Sequence, residues 1–236
     1  MSNIRLFYPN NITENSTVLL SKEHTHYIAN VMRMKRGSNI NFFNKSGEWL
    51  SEIVFLDRDR IEVKFLDKIK EPTNTSNIEL AICLVKKTPM ETIFQKATEL
   101  GVSKIIPIVS DRTEIKELNF ERANKIVIEA VEQSNQMSPP QISKVTKLKN
   151  YIEALEREIL FFADVNSNNK LEPKNFKSGI KNCILIGPEG DFSPFERELI
   201  LKKSNVIPFS LSKNILRTDT AVISAISLIN FINNDH

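Results

Sequence analysis

The chain has 236 residues, with 32 Lys+Arg against 29 Asp+Glu, 41% hydrophobic and 26% charged residues; this excludes disorder throughout and is enough for one large core or two modest ones. The net charge of +3 permits local basic patches but does not by itself declare a nucleic-acid partner, so the location of charge matters more than its total. No stretch approaches the roughly 20 apolar residues of a membrane span, and Met1-Ser2-Asn3-Ile4-Arg5 lacks an apolar signal core, so a cytoplasmic protein with no membrane partner is expected.

Up to residue 71 the pattern is one of short strands. Trp49 to Phe55 and Ile61 to Leu66 flank the polar corner Asp57-Arg58-Asp59-Arg60, a hairpin signal, and Asn44-Lys45-Ser46-Gly47 is a second turn. One helix is predicted over Ser21 to Met34, where Tyr27, Ile28, Val31 and Met32 fall at one-face spacing. This half reads as a small β-rich barrel. The polar run Lys70-Glu71-Pro72-Thr73-Asn74-Thr75-Ser76-Asn77 marks a boundary, giving domains 1–71 and 72–236.

From Ile78 the period changes. Strand-like runs (Ile78 to Val85, Ile105 to Val109, Cys183 to Ile186, Val206 to Phe209) alternate with helical patterns, which predicts an α/β layer. Thr88-Pro89-Met90-Glu91 and Ser193-Pro194-Phe195-Glu196 both offer an N-cap, a proline at the first helical position and a capping-box glutamate. Ala123, Ile126, Val127, Ala130 and Val131 form a third helical stripe, and Ala221, Val222, Ala225, Leu228, Ile229 and Ile232 a closing helix. Cys83 and Cys183 sit inside apolar runs with no CxxC pair; with 3 His and no clustered ligands, neither a metal site nor a disulfide framework is expected.

The six glycines form no phosphate cradle: there is no GxGxxG after a strand and no GxxxxGK[ST], which removes dinucleotide folds and P-loop NTPases. HExxH and GxSxG are absent too. What stands out is the strand Cys183 to Ile186 emptying into Gly187-Pro188-Glu189-Gly190-Asp191 before a capped helix. A second strand, Val206 to Leu211, leads into Ser212 to Ala221. Strand-end loops of this kind hold ligands in α/β folds, although Pro-x-Gly is also ordinary turn chemistry.

Gly187-Pro188-Glu189-Gly190 and Ile215-Leu216-Arg217-Thr218-Asp219-Thr220-Ala221, preceded by Gln95 to Val102 and by Glu129 to Ser134, with Arg5-x-Phe7 and His26 with Val31-Met32-Arg33 at the start, resemble the bacterial 16S ribosomal RNA uracil-N3 methyltransferases of the SPOUT superfamily. The resemblance implies a PUA-like β-barrel domain for RNA, then a SPOUT-type α/β domain whose C-terminal segment forms a deep trefoil knot. It implies S-adenosyl-L-methionine held by Ile186, Gly187, Pro188, Glu189, Gly190, Leu211, Ser212, Ile215, Leu216 and Thr220. It also implies a homodimer, and 16S ribosomal RNA in the assembled small subunit as partner. Arg217 is the first catalytic candidate, as a cation favouring the uracil N3 anion, with a salt bridge to Asp219 or Glu189 as its plain alternative. Glu189 is the second, orienting ligand groups or accepting a proton, unless it closes its own turn. RNA contacts are expected from Arg5, Phe7, His26, Arg33, Lys86 and Arg112; each is equally a residue of ordinary surface or core.

Five positions depart from the family pattern. Asp191 and Ser212 stand where glycines are usual, Asn135-Gln136 replaces a Gly-Arg step, and Asp219 shortens a glutamate. Ser212 would weaken cofactor binding if its φ were positive. Two other functions therefore stay open: a non-catalytic RNA-binding or ribosome-assembly module, and a SPOUT methyltransferase with a different RNA target.

Overall fold

A computed structural model describes residues 4–72, 77–177 and 179–234. Its contacts divide the chain into two units, the first taking in the N-terminal residues with Val131–Ser138 and the second the remainder. The domains 1–71 and 72–236 have one boundary; the observed division also assigns Val131–Ser138 to the first unit.

In unit 1, strands β1 (Arg5–Phe7), β2 (Thr17–Leu19), β3 (Asn39–Asn44), β4 (Gly47–Leu56) and β5 (Ile61–Lys70) form one sheet in the order β1-β3-β4-β5-β2. Period-2 alternation buries Ile40, Phe42, Trp49, Ile53, Ile61, Val63 and Phe65 in one core. The β4–β5 corner is closed by Asp57 N–H donating to the Arg60 carbonyl (2.8 Å), with Asp57 Oδ1 accepting from Arg58 N–H (2.7 Å). Gly47 is obligatory at the other turn: its φ is +130°, and a Cβ there would sit 2.5 Å from the Lys70 carbonyl oxygen.

The helix predicted over Ser21 to Met34 is shorter. Helix α1 (Lys22–His26), capped by Ser21, widens into a π-helical turn at Tyr27–Val31, with Met32 N–H donating to the Tyr27 carbonyl (2.9 Å). The extra residue per turn rotates the apolar face: Ile28 stays in the core, whereas Val31 is 56% and Met32 39% exposed. Arg33 then ends the turn at φ +51°.

Unit 2 holds β6 (Ile78–Cys83), helix α2 (Lys87–Glu99), β7 (Lys104–Val109), α3 (Phe120–Gln133, its end in unit 1), β8 (Gln141–Ile142), β9 (Thr146–Lys147), α4 (Leu148–Glu153), β10 (Ile159–Ala163), β11 (Asn182–Ile186), α5 (Pro194–Leu201), β12 (Val206–Phe209) and α6 (Thr218–Asn234). The strands are parallel in the order β12-β10-β11-β6-β7-β8, with β9 also on β7. Consecutive strand residues face opposite layers. Leu80, Ile82, Phe161, Ile184 and Ile186 pack on α2, α3 and α6, whereas Ala81, Cys83, Phe162, Cys183 and Leu185 pack on α4 and α5. Burial pushes the thiols of Cys83 and Cys183 up to about 12, which suits small core residues. Among the described residues no helix is long and apolar enough to cross a membrane.

Ser193 caps α5 as expected, but Thr88 does not cap α2. That helix begins one residue before it, with Lys86 at the N-cap position, so Thr88 and Pro89 lie inside the first turn, where a missing N–H leaves no bond unmade.

Burial lowers the pKa of His24 below its ordinary 6.5, opposed by a backbone hydrogen bond at Phe7 and by the charge of Glu23. The unfolded chain takes up this proton as pH falls through the ordinary imidazole range, while the folded unit stays neutral until lower pH. The stabilisation from neutral His24 is thus complete above that range, declines through it and levels off below the folded value. Trp49, the 1 tryptophan of the chain, reports on unit 1. Its fluorescence midpoint in urea should fall between pH 7.5 and 5.5, and a His24→Leu variant should show a smaller fall.

Candidate active site

The C-terminal ends of β10, β11 and β12 converge on one cavity of about 380 Å³. From β11 the chain turns through Gly187 to Asp191, closed by Asp191 N–H donating to the Pro188 carbonyl (3.0 Å). A Cβ on Gly187 would fall 2.9 Å from the ring of Phe192. That ring is 4% exposed and edge-on to Phe162, with centroids 5.6 Å apart, so it has no room to retreat and the position requires glycine. Asp191 has φ +59°. Aspartate tolerates this left-handed conformation because its side chain bonds locally, and here Asp191 Oδ1 accepts the Phe192 N–H at 2.7 Å.

From β12 the chain runs through residues 210–217 into α6. Ser212 is not among the described non-glycine residues with positive φ, which are Asn15, Arg33 and Asp191. Its Cβ is therefore unstrained, and its hydroxyl accepts the Asn214 N–H at 3.0 Å. Both departures in the loops are accommodated.

Ile186, Gly187, Pro188, Glu189, Gly190, Leu211, Ser212, Ile215 and Leu216 all line the cavity, but Thr220 does not. Thr218 and Ala221, three residues apart on α6, face inward and turn Thr220 to the exposed side. Arg217 is not a wall residue either. Its carbonyl accepts the Ala221 N–H (2.8 Å) at the start of α6, and its side chain is 73% exposed, with Nε 3.9 Å from Asp219 Oδ1. Glu189 is exposed at the rim.

A third wall, Ala163, Asp164 and Val165 at the end of β10, was not expected, nor was a lining role for Ser210 and Asn214. Asp164 has a side chain only 1% exposed and pairs with Arg197 on α5, Oδ2 to Nη2 at 2.7 Å. On its other side the α5 cap engages the loop after β7. Glu196 accepts Ser193 N–H (3.0 Å) with one carboxylate oxygen and Asp111 N–H (2.8 Å) with the other, while Ser193 Oγ donates to Asp111 (2.7 Å).

Residues 71–230 match the RNA methyltransferase domain and residues 20–66 the RNA methyltransferase PUA domain. A ribosomal RNA small subunit methyltransferase E of Rickettsia conorii is 31% identical over 233 residues, covering 97% of this chain and 95% of that protein. The chain belongs to this RNA methyltransferase family. The namesake in Buchnera aphidicola (strain Sg) is 32% identical over 231 residues, covering 91% and 90% of the two chains. A putative methyltransferase from Legionella pneumophila, solved with bound cofactor SAM, superposes with a TM-score of 0.85 at 26% identity, covering 98% of each chain.

For an RNA methyltransferase the placement of cations is decisive, and here the structure corrects one expectation. Arg5, expected at the RNA, is engaged within unit 1. Its guanidinium donates to Glu48 Oε2 and to the carbonyls of Val131, Ser134 and Gln136, each at 2.8 Å, and to Met137 Sδ at 3.6 Å, and it stacks 3.6 Å over the Phe43 ring. A guanidinium has five N–H donors, and all are spent. Phe7 packs in the same cluster with Phe43, Val131 and Met137, and its N–H donates to Glu132 (3.0 Å). Its half-buried ring is part of the core rather than a free stacking platform. His26, Arg33 and Lys86 are exposed, His26 bonding Asn30 at 2.9 Å, and exposed Arg112 donates to the Gly190 carbonyl at 2.8 Å.

Arg5→Ala leaves Glu48, with a side chain 8% exposed, without its ion-pair partner. The variant should lose roughly 3 kcal/mol of unit 1 stability by Trp49 fluorescence, with the salt dependence of RNA binding unchanged. Arg197→Met strands the Asp164 carboxylate, but Arg197 is 37% exposed, so solvent screens part of the loss and about 2 kcal/mol is expected in chemical denaturation. The double variant Asp164→Leu with Arg197→Met should recover most of it.

Proposed function

We propose that this chain transfers a methyl group from S-adenosyl-L-methionine to N3 of a specific uridine in 16S ribosomal RNA of the small subunit, in the cytoplasm. The observation that carries the reading is the cavity walled by three strand-end loops, within the size range of small-molecule sites, in a chain whose named relatives are ribosomal RNA methyltransferases. The residues present fit that cofactor. Ile186, Leu211, Leu216 and Val165 offer apolar surface for an adenine, and Gly187 to Gly190 bring backbone to the same cavity.

When bound, S-adenosyl-L-methionine supplies an electrophilic methyl group on a sulfonium. The chain's residues supply position and charge. Loops 186–191 and 210–216 hold the donor in place, so that alignment with the acceptor nitrogen lowers the barrier. The Arg217 guanidinium donates no hydrogen bond among the described residues, its nearest carboxylate being Asp219 at 3.9 Å, and the residue stands between Leu216 and Thr218, both of them wall residues. Its guanidinium stabilises the N3 anion, and the N3 proton passes to Glu189 on the rim. Ile215, 93% exposed beside the cavity, and Phe231, 69% exposed on α6, favour completion of the site by a second copy of the chain. The segment after β12, which ends in a helix packed on α2 and β11, is the part that forms the knot.

The alternative of a non-catalytic module rested on Asp191 and Ser212. With the first bonded to its own turn and the second unstrained, that ground is gone.

Small subunits lacking the modification, incubated with labelled S-adenosyl-L-methionine, should gain one methyl group, which mass spectrometry should locate on uracil N3. Arg217→Ala should lower kcat about a hundredfold with its thermal midpoint unchanged. Cofactor binding without methyl transfer would overturn the substrate, and absence of cofactor binding would overturn the reaction.

A further inference from the structure

The loop after β7 meets the cofactor-side turn at two points. Ser110 and Thr113 stiffen it, their hydroxyls 2.8 Å apart and Thr113 N–H donating to the Ser110 carbonyl at 3.1 Å. Asp111 uses its backbone and carboxylate on the α5 cap. The adjacent Arg112 reaches back along the turn, with Nη1 donating to the Gly190 carbonyl at 2.8 Å and its side-chain carbons 3.8 Å from where a Gly190 Cβ would stand. Gly190 lines the cavity, so this bond helps set the wall.

Arg112 differs from Arg5 in what it has left. Gly190 takes one N–H; no other partner contacts the guanidinium among the described residues, and the side chain is exposed. The rest of the planar fork matches the geometry of a phosphate.

The geometry points to Arg112 as a positioning residue that couples the two substrates: one N–H holds the cofactor turn through Gly190, and the remaining donors take a phosphate of the RNA backbone. The inference rests on the reading above of a cofactor cavity and an RNA acceptor. A phosphate on the fork immobilises the guanidinium and with it the Gly190 carbonyl. RNA then orders the turn before the cofactor arrives, and by reciprocity the cofactor orders the arginine for RNA.

The test uses the full chain as wild type and as Arg112→Ala. Calorimetry measures the Kd of S-adenosyl-L-methionine with and without saturating unmodified small subunits, and filter binding measures subunit affinity across a salt series. Wild type should bind the cofactor about fivefold more tightly in the presence of subunits, the low end of typical couplings. In Arg112→Ala that factor should fall to about one, the cofactor Kd alone should rise a few-fold, and the slope of log K against log salt should shrink by about one, as for a lost phosphate contact. The exposed position keeps the variant folded, which an unchanged thermal midpoint verifies. A variant that keeps the coupling factor overturns the proposal, whether or not its cofactor Kd rises. A smaller salt slope with the cofactor Kd unchanged overturns it as well, by making Arg112 a plain phosphate contact. Wild type that binds no cofactor overturns the functional reading itself, and this inference with it.

Discussion

The first turn of α5 is the constraint on which the cavity depends. A helix N-terminus leaves backbone donors that must find partners, and here the partners come from several strand ends. Glu196, 6% exposed, divides its two oxygens between its own cap and Asp111, and Arg197, the next residue, reaches Asp164 at the end of β10. The loops after β7, β10 and β11 are thereby tied to one helical turn, with the Phe192 ring filling the space beneath Gly187. Strand-end loops are usually the least restrained parts of an α/β fold; these are held by bonds that leave the cavity wall to the backbone.

How much of this could be read from sequence depends on the range of the physics involved. The β4–β5 hairpin, the α5 capping box and the alternation of strand and helix are local, and residues a few positions apart specify them. The strand β10 was missed although it pairs with both β11 and β12, because Ile159 to Ala163 is a short apolar run with no alternation, which periodicity cannot tell from buried helix. With it went Asp164, whose partner lies 33 positions away. Arg5 shows the same limit more sharply: the carbonyls that saturate it lie 126, 129 and 131 positions further on, and nothing near Arg5 announces them. The π-helical turn was misread for a different reason, since 3.6-residue spacing placed Val31 and Met32 inward.

Counting donors separates committed from uncommitted arginines in a way that exposure or net charge does not. Arg5 has none left, Arg197 is committed to a buried carboxylate, Arg112 has given one, and the Arg217 guanidinium has given none among the described residues. Departures from a family pattern sort in the same physical way. Asp191 meets the left-handed conformation of its position with a local hydrogen bond from its own carboxylate, so glycine is not required there.

The same helix end also bears on which cofactor the fold can accept. Dinucleotide-binding folds leave the N–H groups of a glycine-rich helix start free for a pyrophosphate. At the start of α5, Pro194 has no N–H, Ser193 N–H goes to Glu196, Glu196 N–H to Ser193, Phe192 N–H to Asp191, and Asp191 N–H to Pro188. Carboxylates occupy the place a phosphate would take. That arrangement repels anions, and it suits a cofactor that carries no phosphate and a positive sulfonium. The absence of a Rossmann fingerprint is then a consequence of ligand charge: once the helix end is closed by Glu196 and Asp191, the glycines of a phosphate cradle have nothing to bind. Attraction for RNA phosphates has to come from side chains outside the turn, which is where Arg112 stands.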